Sequence, residues 1–394
     1  MLTQEENDYL TRVGPGTPAG ELLRRYWQPV ATHKDLTEDK PTKFVRILGE
    51  DLVLFRDKSG RIGLIADKCS HRSASLVYGR VEKRGISCAY HGWLYDCDGN
   101  ILETPPERND AVMRNIKIKA YPVQTFVGLH WAYLGPEPAP VIPHYDVWMR
   151  KDGTHSVQVR PVLDANWLQP MENSADSPHL EILHQMSIGG GRVSANTTRG
   201  FTDDVESNEY YLETWGGLIK KRTYKNGKTD AHPLIFPNIL RVGDRTQIRV
   251  PMDDCHTHHF VVSFTPSEDG SIQPDDDPPV KIEQPYKFPA DALYPVARFN
   301  LEQVPMQDYM AWETQGRITD RTREHLSFGD RGVVLYRKTL RENIEKVQRG
   351  EDPWGLQRDP NHAIIDTNLD ESLYWERVGR PTGIATNTVS GPRL

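Results

Sequence analysis

Two short stretches of this chain collect metal-ligating residue types at spacings that could do chemistry. The first, CSHRSASLVYGRVEKRGISCAYH at residues 69–91, opens on Cys69-x-His71 and closes on Cys88-x-x-His91. Each half reads as a short loop offering one sulfur and one nitrogen, so two loops together can cage a metal centre. Structural zinc is the usual meaning of mixed Cys/His sets, but zinc sites favour cysteines paired two to four residues apart. One sulfur and one nitrogen per loop suits a two-iron cluster, with two thiolates on one iron and two imidazoles on the other. A disulfide would use Cys69 and Cys88 and leave His71 and His91 as coincidences.

The second stretch, NWLQPMENSADSPHLEILH at 166–184, holds Asp176-x-x-His179-x4-His184. Read alone, it is equally a polar helix start with satisfied histidines. Two residues five apart diverge by about 140° around an ideal helix. For His179 and His184 to meet one ion, the helix must bend, change type, or end between them. Two histidines and a carboxylate would form the facial triad of an oxygen-activating Fe(II) site with open positions. Downstream candidates for the carboxylate are Asp253, Asp254, Glu302, Asp308, Glu313 and Asp320. The segment DDCHTHHF at 253–260 also invites a metal reading. It runs into a strand, where alternate residues face opposite sides, so His256, His258 and His259 cannot all converge; pocket lining or surface is expected instead.

The elements that must position these residues follow from the patterning. Thr3-Gln4-Glu5-Glu6 has capping-box spacing, and Thr17-Pro18 reads as an N-cap before a first-turn proline. Two short lead-in helices are expected, the second ending near Tyr26-Trp27. The period then changes to two. KFVRILGEDLVLFRD hinges at Gly49-Glu50-Asp51, DKSG turns the chain at 57–60, and Asp98-Gly99 marks another hairpin. Residues 43–135 thus read as a small antiparallel β unit carrying the first stretch in its loops. GPEPAPVIP at 135–143, with four prolines, is the best domain boundary, dividing the chain into 1–142 and 143–394. Beyond it, 166–186 looks partly helical and YYLETWGGLIKKRTY and 235–264 look like antiparallel strands. SEDGSIQPDDDPP reads as a surface loop, and VVLYRKTLRENIEKVQRG as a long C-terminal helix. The fold class is α+β: an all-β unit, then an antiparallel sheet with helices on one side, a helix-grip arrangement.

Composition sets outer limits. The net charge of −7 argues against nucleic acid as a partner. No apolar run approaches the roughly 18 residues of a membrane span. Four cysteines in 394 residues, and a start (MLTQEENDYL) without a basic or apolar leader, point to a reducing cytoplasm.

With these residues in hand, the chain resembles a known family. C-S-H-R followed by C-A-Y-H-G-W looks like the cluster motif of the Rieske non-haem iron oxygenases, and the resemblance runs over nearly the whole chain. It implies one Rieske [2Fe-2S] cluster, with Cys69 and Cys88 on one iron and His71 and His91 on the other, while Cys97 falls outside the motif. It implies a mononuclear Fe(II) held by His179 and His184. PMQDYMAWETQGRITDRTREHL resembles the matching region of the phthalate-dioxygenase-like and O-demethylase branches, where Asp308 fills the carboxylate position, with Glu313 in reserve. An aspartate in the place of Asp176 would bridge His179 to His91 of another subunit, which requires an oligomer, most simply a homotrimer.

The same resemblance implies a terminal oxygenase fed by NAD(P)H through a separate ferredoxin or reductase, since no GxGxxG motif is present. RYWQPV, HGWLYD, IFPNILRVG and MAWETQGRITDR look most like the 5,5'-dehydrodivanillate O-demethylase group. That would mean oxidising the methyl ether of a lignin-derived, carboxylated biaryl to a phenol and formaldehyde. The alternatives are phthalate-type ring cis-dihydroxylation and, from another class, a Rieske electron carrier without oxygenase activity. Lys220, Lys221, Arg222 and Arg249 could meet a substrate carboxylate, although charged strand residues usually face solvent. SIGGGR at 187–192 would form a mobile lip over the site.

Overall fold

The computed structural model describes residues 1–107, 110–185, 205–227, 229–270, 277–289, 292–293, 298–301 and 304–368. The glycine run 187–192 and the candidate ligand Glu302 lie outside the described residues.

The alternating segments form small antiparallel sheets. Thr42–Ile47, Glu50–Arg56, Ile62–Ala66 and Ala120–Tyr121 make one; Arg80–Glu82, Gly85–Ser87, Leu94–Tyr95 and Ile101–Glu103 make another. The first hairpin turns at Leu48-Gly49, both with positive φ, one residue earlier than the expected hinge, so Glu50 and Asp51 already belong to the strand. In the DKSG turn, Asp57 Oδ1 accepts from the amides of Ser59 and Arg61. Val53, Phe55, Ile65, Leu76, Ile86 and Ile118 pack with Cys69 and Cys88 into a separate small core beneath the cluster loops.

The proline-rich stretch 135–143 forms neither helix nor strand. Beyond it an eight-stranded sheet runs in the order Val205–Glu213, Gly217–Tyr224, Thr229–Ile235, Ile239–Val242, Arg245–Pro251, Thr257–Pro266, Gly153–Leu163, Val280–Ile282. It is antiparallel as expected, except that the last strand pairs in parallel with Val157–Val159. One face carries the helices. Cross-strand neighbours Arg160, His259 and Arg249 point there, His259 meeting Tyr309 and Arg249 meeting Ser174. The other face receives Trp148, whose indole donates to Thr246 Oγ1 and packs on Trp131 of a three-stranded sheet from the first half.

The lead-in helices are Gln4–Thr11, with its capping box in place, and Pro18–Leu23. The second stops short of Tyr26, and turn hydrogen bonds from Arg25 and Tyr26 to Leu22 and Leu23 complete the coil. Both helices pack on the C-terminal helix Arg331–Gln348. Side chains stitch them further in: Asn7 donates to Thr319 O, and Asn166, just before the first helix of the second stretch, donates to Thr11 O.

Candidate metal centres

The loops that carry Cys69-x-His71 and Cys88-x-x-His91 are closed by their own backbones. Ser73 N bonds Cys69 O, Cys69 N bonds Ala74 O, Gly92 N bonds Cys88 O, and Cys88 N bonds Trp93 O. Gly92 sits at φ 75°, where a side chain would also meet Pro105, so this turn requires glycine. Both cysteines are buried and free, which excludes the disulfide. The rings of His71 and His91 lie 4.6 Å apart, with His71 stacked on Trp93 at 4.8 Å. Two thiols and two imidazoles therefore converge from two loops.

Sequence reasoning missed Tyr95. Fully buried, its hydroxyl lies 3.1 Å from Cys69 Sγ and 2.9 Å from Ser70 Oγ, and it accepts from Ser70 N. Cys97, outside the motif, is buried in the same core near Asp57, its thiol pushed up to about 12 by that burial.

The second stretch folds as three pieces: helix Leu168–Ala175, helix Pro178–Ile182, and a 3₁₀ turn Leu183–Gln185. The change of helix type falls between His179 and His184 and resolves their angular mismatch. Their rings are 5.4 Å apart and nearly perpendicular. Asp308, on helix Val304–Glu313, joins them: ligand-type atoms of His179, His184 and Asp308 all lie within 4.8 Å of one another, with Asp308 Oδ1 3.4 Å from His184 Nε2. Asp176 caps the first helix, and its Oδ2 accepts from His179 N at 3.0 Å and lies 3.2 Å from His179 Nδ1. Burial lowers the His179 pKa, which keeps its imidazole neutral and its lone pair free.

The other candidate carboxylates are engaged elsewhere. Glu313 accepts from Asp164 N and pairs with Lys287, Asp254 holds Val13 N and Arg12, Asp253 holds His256, and Asp320 closes its own turn onto Thr322. Of the histidines in 253–260, His256 stays with Asp253, and His258 packs on Phe260 with its pKa lowered by burial to about 4. His259 faces the opposite way and is buried in the core beneath Tyr309 rather than at the surface.

The strand cations are not solvent-facing either. Lys220, Arg222 and Arg249 are buried, because the helices cover this face of the sheet; Lys221 is half-buried. Arg222 is neutralised by a two-pronged pair with Asp230, and Arg249 lies over Trp312 and donates to Ser174. Lys220 has no carboxylate partner among the described residues. Its ammonium donates to the Asp176 carbonyl at 2.7 Å, and burial lowers its pKa to about 7.

Both donor sets fit the iron groups that such arrangements imply. His71 Nδ1 and Asp308 Oδ1 are buried without a hydrogen-bond partner, as atoms reserved for a metal would be. Two histidines and one carboxylate on one side leave positions open for oxygen and substrate.

Residues 26–126 match the Rieske [2Fe-2S] domain family, and residues 297–368 match the family of LigXa C-terminal domain-like segments. The oxygenase subunit of 5,5'-dehydrodivanillate O-demethylase from Sphingobium sp. is 37% identical over 372 residues, covering 92% of this chain and 86% of that one. The phthalate 4,5-dioxygenase oxygenase subunit of Pseudomonas putida is 32% identical, covering 96% and 95%. Among solved structures, NdmA of Pseudomonas putida CBB5 superposes with a TM-score of 0.62 at 21% identity, over 84% of this chain and 94% of that one. A small Rieske unit joined to a helix-covered sheet with a His/His/Asp cluster defines an iron oxygenase of two centres. The chain belongs to the Rieske non-haem iron oxygenases, as an oxygenase component with a [2Fe-2S] cluster and a mononuclear iron. Its similarity is to the branch that holds O-demethylase and phthalate-dioxygenase oxygenase subunits. No described helix is long and apolar enough to cross a membrane.

Proposed function

We propose that the chain oxidises the methyl ether of an aromatic acid, releasing a phenol and formaldehyde. The balanced conversion is ArOCH3 + O2 + NAD(P)H + H⁺ to ArOH + HCHO + H2O + NAD(P)⁺, with electrons arriving through a separate ferredoxin or reductase in the cytoplasm. In this reading Cys69, Cys88, His71 and His91 hold the cluster, and His179, His184 and Asp308 hold the iron. The iron, when bound, supplies oxygen activation beside the substrate.

The observation that carries the oxygenase reading is the convergence of His179, His184 and Asp308, which an electron carrier has no use for. The ether substrate is supported by the 37% identity to the dehydrodivanillate O-demethylase subunit. Lys220 supports an acidic substrate, because burial disfavours its charged form, no carboxylate among the described residues is in contact with it, and a substrate carboxylate would stabilise the ammonium.

This chain's residues otherwise exclude water and set proton positions. Asp176 keeps the N–H of His179 on Nδ1, leaving Nε2 bare. Its second oxygen, Oδ1, has no hydrogen bond among the described residues, which supports a role in accepting from His91 of a neighbouring subunit in a trimer.

Turnover of methoxylated aromatic acids by the reconstituted system tests the reaction. Formaldehyde should appear in step with the phenol. A cis-diol as the sole product would move the chain to ring dihydroxylation, the reading favoured by the 32% identity to the phthalate 4,5-dioxygenase subunit. Iron content beyond the pair in the cluster separates either oxygenase from a carrier.

A further inference from the structure

Gln307 stands one residue before Asp308 on helix Val304–Glu313 and is 1% exposed. Its Oε1 lies 3.0 Å from His184 Nδ1, and its Nε2 donates to Leu301 O at 3.1 Å. The orientation of this amide follows from its partners. Turned the other way, Oε1 would face the Leu301 carbonyl, acceptor against acceptor, so the oxygen must point to His184. An acceptor at that place requires a proton on Nδ1. His184 Nε2 is then the bare nitrogen, and it is the atom 3.4 Å from Asp308 Oδ1.

The two histidines are therefore braced by different chemistry. His179 leans on the carboxylate of Asp176, from the loop just before it. His184 leans on a neutral amide that belongs to the same helix as the carboxylate of the triad. One helix thus holds the back of the His184 ring with Gln307 and faces its front with Asp308. An amide does this without adding a second negative charge next to Asp308.

We propose that Gln307 is a positioning residue for the mononuclear iron, fixing the tautomer and ring orientation of His184 so that Nε2 and Asp308 are presented as a preassembled pair. The proposal rests on the reading of His184 as an iron ligand. Partners of this kind behind metal-bound histidines typically change metal affinity by about 10- to 100-fold when removed.

The test uses the full chain with its cluster assembled and measures retention of the mononuclear Fe(II) against a chelator, together with EPR of its nitric oxide adduct. Gln307→Leu keeps similar bulk and removes the acceptor. It should lose the iron about 10- to 100-fold more readily and shift the adduct spectrum, while the cluster absorption stays unchanged. Gln307→Glu restores an acceptor and should recover iron retention to within several-fold. Wild-type retention and spectrum in Gln307→Leu would overturn the proposal. So would a Gln307→Glu protein as defective as Gln307→Leu, since an acceptor behind His184 would then give no hold on the iron. His184→Ala provides the separate check: if it keeps the mononuclear iron, the ligand assignment itself falls, and the role of Gln307 falls with it.

Discussion

Tyr95 holds its hydroxyl 3.1 Å from Cys69 Sγ, inside a core that buries both groups. Burial raises the phenol pKa, so the hydroxyl remains a donor at neutral pH. A hydrogen bond to a ligating sulfur stabilises the more electron-rich, reduced cluster. Tyr95→Phe should therefore lower the reduction potential. A differential of about 1 kcal/mol corresponds to roughly 40 mV for one electron. A redox titration followed by the cluster absorbance measures it, and an unchanged potential would show that the hydroxyl serves Ser70 alone.

Asp176→Asn tests the link between the two centres. The amide keeps the size of the side chain but is uncharged and has only one acceptor end, so one imidazole loses its acceptor and the other keeps only a neutral one. Iron content should stay largely intact and cluster reduction by its donor should not change. Reoxidation of the reduced cluster with substrate and O2, followed by stopped flow, should become much slower. A wild-type rate with both metals in place would remove Asp176 from the electron route.

Lys220→Met should separate charge from shape in substrate binding. An aromatic acid should bind about 10- to 100-fold more weakly, the scale of a lost charge-assisted hydrogen bond. The neutral methyl ester of the same acid should bind as it does to the wild type. Equilibrium titration of both ligands decides the matter, and equal losses for acid and ester would assign Lys220 to holding the Asp176 carbonyl instead.

Asp244 carries a pH dependence away from either centre. Its carboxylate oxygens are buried without hydrogen bonds, with Arg150 at 3.7 Å and Arg241 at 3.9 Å, and burial raises its pKa from 3.8 to about 6. The folded chain thus holds this proton more tightly than the unfolded chain does. The charged form weakens the fold above pH 6, and stability is recovered as the pH falls from 6 toward 4. Asp244→Asn should stabilise the protein at pH 7.5 by about 2–3 kcal/mol, with the gain shrinking toward pH 4. Thermal unfolding of both proteins at the two pH values measures it.

Glu172 should contribute heavily to stability. It is buried between Arg321, which donates through Nε and Nη2, and Arg337, which donates through Nε at 2.6 Å and also pairs with Glu324. Glu172→Ala leaves two buried guanidinium groups without this partner and should cost about 3–5 kcal/mol. A loss below 1 kcal/mol in denaturant unfolding would mean that water replaces the carboxylate.

Much of this was legible because metal chemistry restricts both donor type and spacing. Cys69, His71, Cys88 and His91 lie within one short segment, and the angle between His179 and His184 demanded the helix break that the fold contains. Gln307 and Tyr95 carried no such mark. An amide or a phenol acquires its role from what it meets, and Gln307 meets His184 across 123 residues. His259 shows the same limit from the other side. Strand alternation separated it from His258, but which face became core was decided by Tyr309, 50 residues later. Lys220 read as solvent-facing for the same reason.

The clasp between the lead-in helices and the far end of the chain has a consequence for synthesis. Asn7 waits for Thr319, 312 residues downstream. At ribosomal rates of about 5–20 residues per second, that wait lasts roughly 15–60 s. The strands of the cluster unit find their partners among near neighbours and can pair long before. The small core beneath the cluster loops draws only on residues from Val53 to Ile118, so these loops can close around iron and sulfide while the iron half is still an open chain. The expected order of loading is therefore the cluster first and the mononuclear iron last, once Asp308 has been made and the two ends of the chain have met.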